Sequence, residues 1–184
     1  RTGEPYVSYE SIKGGFGARP TKDGINCIAS GISNMMNTPI EILEMSFPVR
    51  VEEYSVLTDS GGAGKFRGGC GARRIWRVLG NTARGAVCCE RSKSAPFGLA
   101  GGQPGSPARI RLEDPDGGIR YPLSKGAFTV PENGRIIFEV PGSGGFGPPT
   151  ERDPVALAED LKNGYVSEDA ANKKYTRLIR ADNN

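Results

Sequence analysis

Histidine is missing altogether from the 184 residues. Its absence excludes a Ser-His-Asp or Cys-His nucleophilic site built from this chain, and it leaves no side chain whose ordinary pKa lies near neutrality. Acid–base work would have to rest on shifted carboxylates, lysine or cysteine. No apolar run approaches the ~20 residues of a membrane helix, and the opening RTGEPYVSYES has no apolar core of a signal peptide. With a negative mean hydropathy, a cytoplasmic protein without a membrane partner is expected. The four cysteines, Cys27, Cys70, Cys88 and Cys89, lack C-x-x-C spacing. A zinc site would need all four thiolates, yet the adjacent Cys88 and Cys89 of a strand point to opposite faces, so no metal site is expected and buried free thiols are. Neither sign of charge dominates: 24 basic and 21 acidic residues leave a net +3, which makes no case for nucleic acid or an anionic membrane. Trp76 is the only tryptophan. That scarcity disfavours an independent carbohydrate-binding β domain, and Trp76 itself is expected in the core or at a subunit interface.

Glycine is what the chain has in excess: 27 residues, with 14 prolines, gathered in clusters without a fixed period. Valine, isoleucine, leucine and aromatic residues recur between the clusters, as in a loop-rich β protein and unlike a disordered chain. The central cluster is Asp59 to Arg74, DSGGAGKFRGGCGARR, with Gly61, Gly62, Gly64, Gly68, Gly69 and Gly71. It lies between Arg50 to Leu57 and Arg73 to Leu79, both alternating apolar and polar as half-buried strands do. Glycine accepts positive φ and lets other backbone come close, so these six are expected to serve shape, as a structural loop. A Walker loop is excluded twice, because Phe66 follows Gly64-Lys65 and Asp59 stands where the first glycine belongs. Gly142, Gly144 and Gly147 have dinucleotide spacing, but Pro148 and Pro149 follow and no helix opens.

Further strands are predicted at Tyr6 to Ile12, Thr82 to Cys89, Ala108 to Leu112, Ile119 to Leu123, Ala127 to Val130 and Arg135 to Val140. Asp116-Gly117-Gly118 reads as a hairpin turn, and Pro131-Glu132-Asn133-Gly134 as another turn. A short helix, Ile40 to Met45, is expected behind Asn37-Thr38-Pro39, with Asn37 or Thr38 as its cap. In the tail, Asp153-Pro154 opens a helix to about Lys162, Asn163-Gly164 ends it, and Ser167 starts another to about Tyr175. The fold class expected is α+β, mainly β: a sandwich or layered antiparallel sheets of roughly seven to nine strands, with glycine-rich loops and two short C-terminal helices. Residues 1–184 read as one domain, with a β-rich body to about 150 and a helical tail over about 151–180. The chain opens on Arg1 rather than methionine, close to a strand-like segment, so a fragment or processed piece is expected.

Seven motifs occur in an order that resembles the hydantoinase B family, also called the oxoprolinase or acetone carboxylase α-subunit type. They are GGFGARPTKDG (14–24), NTPIEILE (37–44), FPVRVEEY (47–54), SGGAGKFRGGCG (60–71), PFGLAGGQPG (96–105), PGSGGFGPPTERDP (141–154) and VSEDAANKKY (166–175). The resemblance implies an ATP-dependent enzyme that opens a lactam or hydantoin ring, or carboxylates a ketone. It also implies a hydantoinase A-like partner that handles nucleotide. Family B components are several times longer, so the chain resembles the carboxy-terminal part of one, with the family's metal ligands lying upstream and the remaining part of the component as a further partner. ATP and a divalent metal are implied for the whole complex and none for this chain alone, whose isolated form is expected to be inactive. A non-catalytic assembly module is the alternative. One departure is the region before the NTP motif, where many members carry histidine and this chain has Ala29, Ser30 and Gly31.

No catalytic residue can be named from the sequence. As groups that could contact substrate or support the site, Asn34, Asn37 and Thr38 offer amides and a hydroxyl able to orient a carbonyl or phosphate. Arg67 could grip an anion bidentately, and Arg91 or Lys125 less specifically. Three of them have a structural counterpart: a helix cap for Asn37 and Thr38, and for Arg67 an ion pair or a clamp on the carbonyls of the glycine loop.

Overall fold

The computed structural model describes residues 6–175. In chain order its elements are α1 (Ile40–Ser46), β1 (Val49–Val56), β2 (Ala72–Val78), β3 (Ala83–Cys88), β4 (Arg109–Glu113), β5 (Ile119–Arg120), β6 (Lys125–Val130), β7 (Arg135–Glu139), a 3-10 turn at Pro149–Glu151, α2 (Pro154–Lys162) and α3 (Glu168–Lys174). Five strands form an antiparallel sheet in the order β1-β2-β7-β4-β5, and β3 pairs with β6 in a separate ribbon. The chain is thus α+β and mainly β, in two layers of antiparallel strands.

The strand register sorts side chains by face, because successive residues of a strand point opposite ways. Trp76 and Val78 of β2 share a face with Ile136 and Phe138 of β7 and with Leu112 of β4. That face meets Val130 and Phe128 of the ribbon, and together they make the sandwich core. Trp76 lies edge-on to Phe138 with ring centroids 5.7 Å apart. The opposite face carries a lattice of ion pairs: Arg135 with Glu113 at 3.2 Å and with Glu52, Arg111 with Glu113 at 2.8 Å, Arg77 with Glu52, and Arg73 with Glu53 at 3.7 Å. A bulge between Val51 and Glu53 lets the consecutive Glu52 and Glu53 both reach this face.

Three local expectations need correction. Tyr6 to Ile12 is extended in pattern but pairs with no strand; it is held through Glu10 on Arg74 at 3.2 Å and Tyr6 on the Phe47 ring. β5 stops at Arg120 rather than Leu123, since Pro122 has no N–H to continue a ladder. Neither Asn37 nor Thr38 caps α1: Pro39 occupies the N-cap position, no side chain bonds the first amides, and Asn37 donates to the Tyr54 hydroxyl at 2.7 Å.

The two turns form as read, with different outcomes. Asp114 to Gly118 closes the β4–β5 hairpin, with Gly117 at φ +88. Pro131 to Gly134 makes a turn with Asn133 at φ +63, but it carries the chain from the ribbon to the sheet, so β6 and β7 do not pair. The tail helices also form as predicted. Asp153 accepts from the N–H groups of Val155 and Ala156 at the start of α2, and Ser167 accepts from Ala170 at the start of α3. Their apolar faces, including Leu157, Ala171 and Tyr175, pack on Ala63 in the central glycine cluster.

Candidate functional site

The glycine clusters converge. Segments around 14–28, 60–71, 96–105 and 141–147 lie side by side, joined by backbone hydrogen bonds outside any regular ladder. Gly69 N–H donates to Phe16 O at 2.8 Å, Gly62 N–H to Ser143 O at 2.8 Å, Gln103 N–H to Ala63 O at 2.7 Å, and Leu99 N–H to Gly145 O at 2.9 Å. None of the six central glycines has positive φ. All six instead sit under closely packed backbone, five of them under other segments: a Cβ on Gly68 would overlap the Ser143 carbonyl, one on Gly69 the Ile25 carbonyl, and one on Gly64 would stand 2.8 Å from Phe146 O. Close approach, rather than left-handed conformation, is the reason for glycine here.

This packing uses the loop's own donors. The N–H groups of Gly62, Lys65, Phe66, Arg67, Gly68, Gly69, Cys70 and Gly71 all donate within the fold. A phosphate cradle needs such amides turned outward and free. The central loop therefore has the composition of an anion loop without its geometry.

Arg67 stands inside the lattice, 4% exposed. Its Nε donates to Asp160 Oδ1 at 3.1 Å, and its Nη1 donates to Gly68 O at 2.6 Å and Asn26 Oδ1 at 3.2 Å. The Tyr165 ring lies 5.1 Å from its guanidinium carbon. Asp160 is shared with Arg152, which also makes a two-pronged pair with Asp23 at 3.0 and 2.8 Å. Asp23 in turn accepts from the Arg67 N–H at 2.7 Å. Two arginines and two aspartates thus tie the 14–28 and 60–71 segments to α2. Burial alone would push the Asp23 carboxyl up, but hydrogen bonds and charge from Arg152, with Arg67 behind, hold it below the ordinary range. Burial pushes the Tyr175 hydroxyl up to about 12, with Arg152 pulling the other way.

The sequence named Arg67 and missed its partners. Asp23 lay in a polar turn, and Arg152 preceded a helix cap. Asp160 did carry a signal: it lies three residues after Leu157 on α2, so the two share the buried helix face, and a carboxylate in an apolar stripe calls for a buried cation.

The other candidate residues fall in two places. Asn34 and Asn37 are exposed and Thr38 half-buried, on the loop before α1, with Asn34 at φ +43. Arg91 and Lys125 line an open hollow of about 750 Å³ beside the ribbon, together with Lys93, Leu123 and Ser124. Lys125 is paired with Glu90, whose carboxyl is held below its ordinary value by Lys125 first and by the charge of Arg91 as well. The hydrogen bond that Lys125 donates to Glu90 raises the ammonium above its ordinary value. Structure therefore brings Arg91 and Lys125 together and keeps both apart from the Arg67 lattice. The cysteines are free thiols: Cys70 is buried, Cys27 and Cys89 are half-buried, and Cys88 is exposed, against the expectation of four buried thiols. Burial, with the nearby Cys70, pushes the Cys27 thiol up to about 11. Among the described residues no group of three or more histidine, cysteine, aspartate or glutamate side chains could hold a metal ion. The donor set of the described residues does not fit a metal centre. No helix among the described residues is long and apolar enough to cross a membrane.

Comparison with known proteins accords with this architecture. The family model described as hydantoinase B/oxoprolinase matches residues 1–149. An uncharacterized protein of Methanocaldococcus jannaschii is 36% identical over 183 residues, which is 98% of this chain and 32% of that one. Caprolactamase subunit beta of Pseudomonas jessenii is 32% identical, over 92% of this chain and 30% of its own length. The crystal structure of the ATP-dependent caprolactamase from that organism superposes with a TM-score of 0.75 at 34% identity, covering 89% of this chain and 29% of the other. A nucleotide-free acetone carboxylase structure gives 0.73 at 25% identity, over 89% and 26%. This chain spans about a third of the length of these relatives. With the family model matched over most of its length and the fold shared, the chain belongs to the hydantoinase B/oxoprolinase family.

Proposed function

We propose that this chain serves as the carboxy-terminal portion, or a split subunit, of a hydantoinase B-type component in a cytoplasmic ATP-dependent enzyme. With a hydantoinase A-like partner that handles nucleotide, the whole opens a cyclic amide or carboxylates a ketone. In this reading residues 1–184 act as one supporting unit. ATP and the divalent metal belong to the partner and to the larger part of the component. The observation that carries the reading is the internal use of the central loop: eight of its amides, and Nε and Nη1 of Arg67, are spent on holding the fold together. Amide opening requires an activated nucleophile and an oxyanion site, and phosphoryl transfer requires several donors around a carboxylate-held metal. This chain's contribution is the frame on which such groups are mounted. Asn37 and Arg91, whose side chains face outward, are the groups placed to touch a neighbouring component or its substrate.

The test is an assay of the purified chain with ATP and a hydantoin or lactam, repeated with the other components present. The isolated chain should show no turnover, and the assembled enzyme should lose activity when the chain is omitted. Turnover by the chain alone, or an unchanged rate without it, would contradict the proposal. A second reading, a non-catalytic assembly module, is favoured by the exposed apolar side chains of the 6–9 segment and the 32–36 loop. It predicts that omission changes the size of the complex while leaving the rate per active site intact.

A further inference from the structure

Large apolar side chains are left in solvent at several places, among them Phe97, Tyr121 and Leu123, but the five most exposed among the described residues are gathered on one side. Val7, Tyr9, Ile32, Met36 and Met45 are 90, 83, 96, 95 and 81% exposed. The segments that carry them are joined by direct contacts. Tyr6 packs on Phe47 at the end of α1 with ring centroids 5.6 Å apart, Lys13 Nζ reaches Met35 Sδ at 3.5 Å, and Asn37 donates to Tyr54 of β1. Arg74 of β2 joins Glu10 to the Tyr54 ring. The N-terminal segment, the loop before α1, α1 itself and the outer half of β1 therefore form one face. An apolar face of this kind on a folded protein marks an interaction site.

The Tyr6 to Ile12 segment gives the face a direction. Its alternation is that of a half-buried strand, yet it has no ladder partner. Tyr6 and Glu10 turn inward to Phe47 and Arg74, while Val7 and Tyr9, on the alternate side, are bare. Half of a strand's environment is present here and the other half is not.

We infer that this face docks the larger portion of a hydantoinase B-type component, the portion that the relatives carry in the same chain and this sequence does not contain. The inference rests on the proposed role as part of such a component. Its occupant follows from length, and its place from the degree of exposure. This chain spans 32% and 30% of two relatives, so about two thirds of such a component has to meet this fold somewhere. One face of the five-stranded sheet is covered by the ribbon, and the other is closed by its own arginine–glutamate pairs. Among the described residues, the face that carries Val7, Tyr9, Ile32, Met36 and Met45 holds the most exposed apolar side chains.

The experiment uses the portion of the Methanocaldococcus jannaschii relative outside the matched region, expressed separately, as the probe. Wild-type chain should form a one-to-one complex with it in gel filtration with light scattering, and residues 6–13 should gain protection from hydrogen exchange. The double variant Val7→Asp/Tyr9→Asp replaces exposed side chains, so its fold, checked by circular dichroism, should persist while affinity falls by at least about 30-fold. Val155→Asp, at a side chain 70% exposed on α2, should leave affinity within about threefold. No complex with the probe, equal binding by the double variant, or a homodimer that depends on Val7 and Tyr9 and excludes the probe would each overturn the inference. Binding that depends on Val7 and Tyr9 without ATP-dependent turnover in the assembly would overturn the proposed function alone. Turnover that survives the double variant with unchanged binding would overturn the docking face alone.

Discussion

The glycine lattice and the two-layer sandwich hold the same chain together by opposite means. In the sandwich, side chains do the packing: Val78, Leu112, Val130 and Ile136 interlock between two layers of strands, and removal of any one leaves space. In the lattice, backbone packs on backbone, and what matters is that no side chain intervenes; addition, rather than removal, breaks it. The first region tolerates many sequences of similar volume. The second tolerates almost one, because the carbonyls that face Gly62, Gly68 and Gly69 belong to other segments and cannot move aside singly. The charged side chains that tie the lattice to α2 are the Arg67–Asp160–Arg152–Asp23 group, and Asn26 and Ser60 accept loop N–H groups beside it.

The largest expected effect separates glycines that look alike in sequence. Gly68→Val places two methyl groups into Ser143 and should cost at least ~4 kcal/mol, enough to prevent folding. Gly17→Ala, where nothing lies within 4 Å, should change stability by under ~0.5 kcal/mol. Urea denaturation of both variants measures the contrast, and equal losses would remove the distinction. Next comes Arg67→Met, which leaves Asp160 with Arg152 alone in a buried site and should cost roughly 3 kcal/mol.

Alkaline titration probes the same corner without mutation. The folded Tyr175 hydroxyl is raised from 10.0 to about 12, so the folded state binds more protons than the unfolded state between those values. Its stabilising contribution is fully present below pH 10 and is lost as pH rises through 12, on the order of 2 kcal/mol. Cys27, raised from 9.0 to about 11, begins the decline one unit earlier. Tyr175→Phe should flatten the upper part of the curve in denaturation measured at successive pH. Asp23 acts in the opposite sense: its lowered carboxyl stabilises the fold above its unfolded value, and that contribution fades as pH falls below about 4. Smaller still, Asp153→Ala removes the α2 cap and should cost about 1 kcal/mol. Lys65→Ala breaks only an exposed pair with Glu151 and should cost under about 0.5 kcal/mol.

The two regions also differed in how far they could be read from sequence. The β2 and β7 strands, the β4–β5 hairpin and both tail helices were legible because alternation, turn glycines and caps are local signals. The lattice was half legible: the glycine cluster announced close backbone approach, but which segments approach is a matter of residues 14–147 meeting in space. Tyr6 to Ile12 shows the converse, a local strand pattern with no neighbour to complete it. Arg67 could be singled out, yet its partner Asp160 lies 93 residues away, and no spacing rule joins them. Arg91 and Lys125 likewise meet only through the pairing of β3 with β6.

The central claim is that Arg67 and its glycine loop build the frame and do not touch the reacting molecules. The direct measurement is ATP-dependent turnover of a lactam or hydantoin by the reassembled enzyme carrying Arg67→Met, divided by the fraction of chain that is folded and incorporated. The account predicts a rate per incorporated chain within about threefold of wild type, with any loss of total activity matching loss of folded chain. A fully incorporated variant that turns over about 100-fold more slowly would place Arg67 on the substrate and contradict the account.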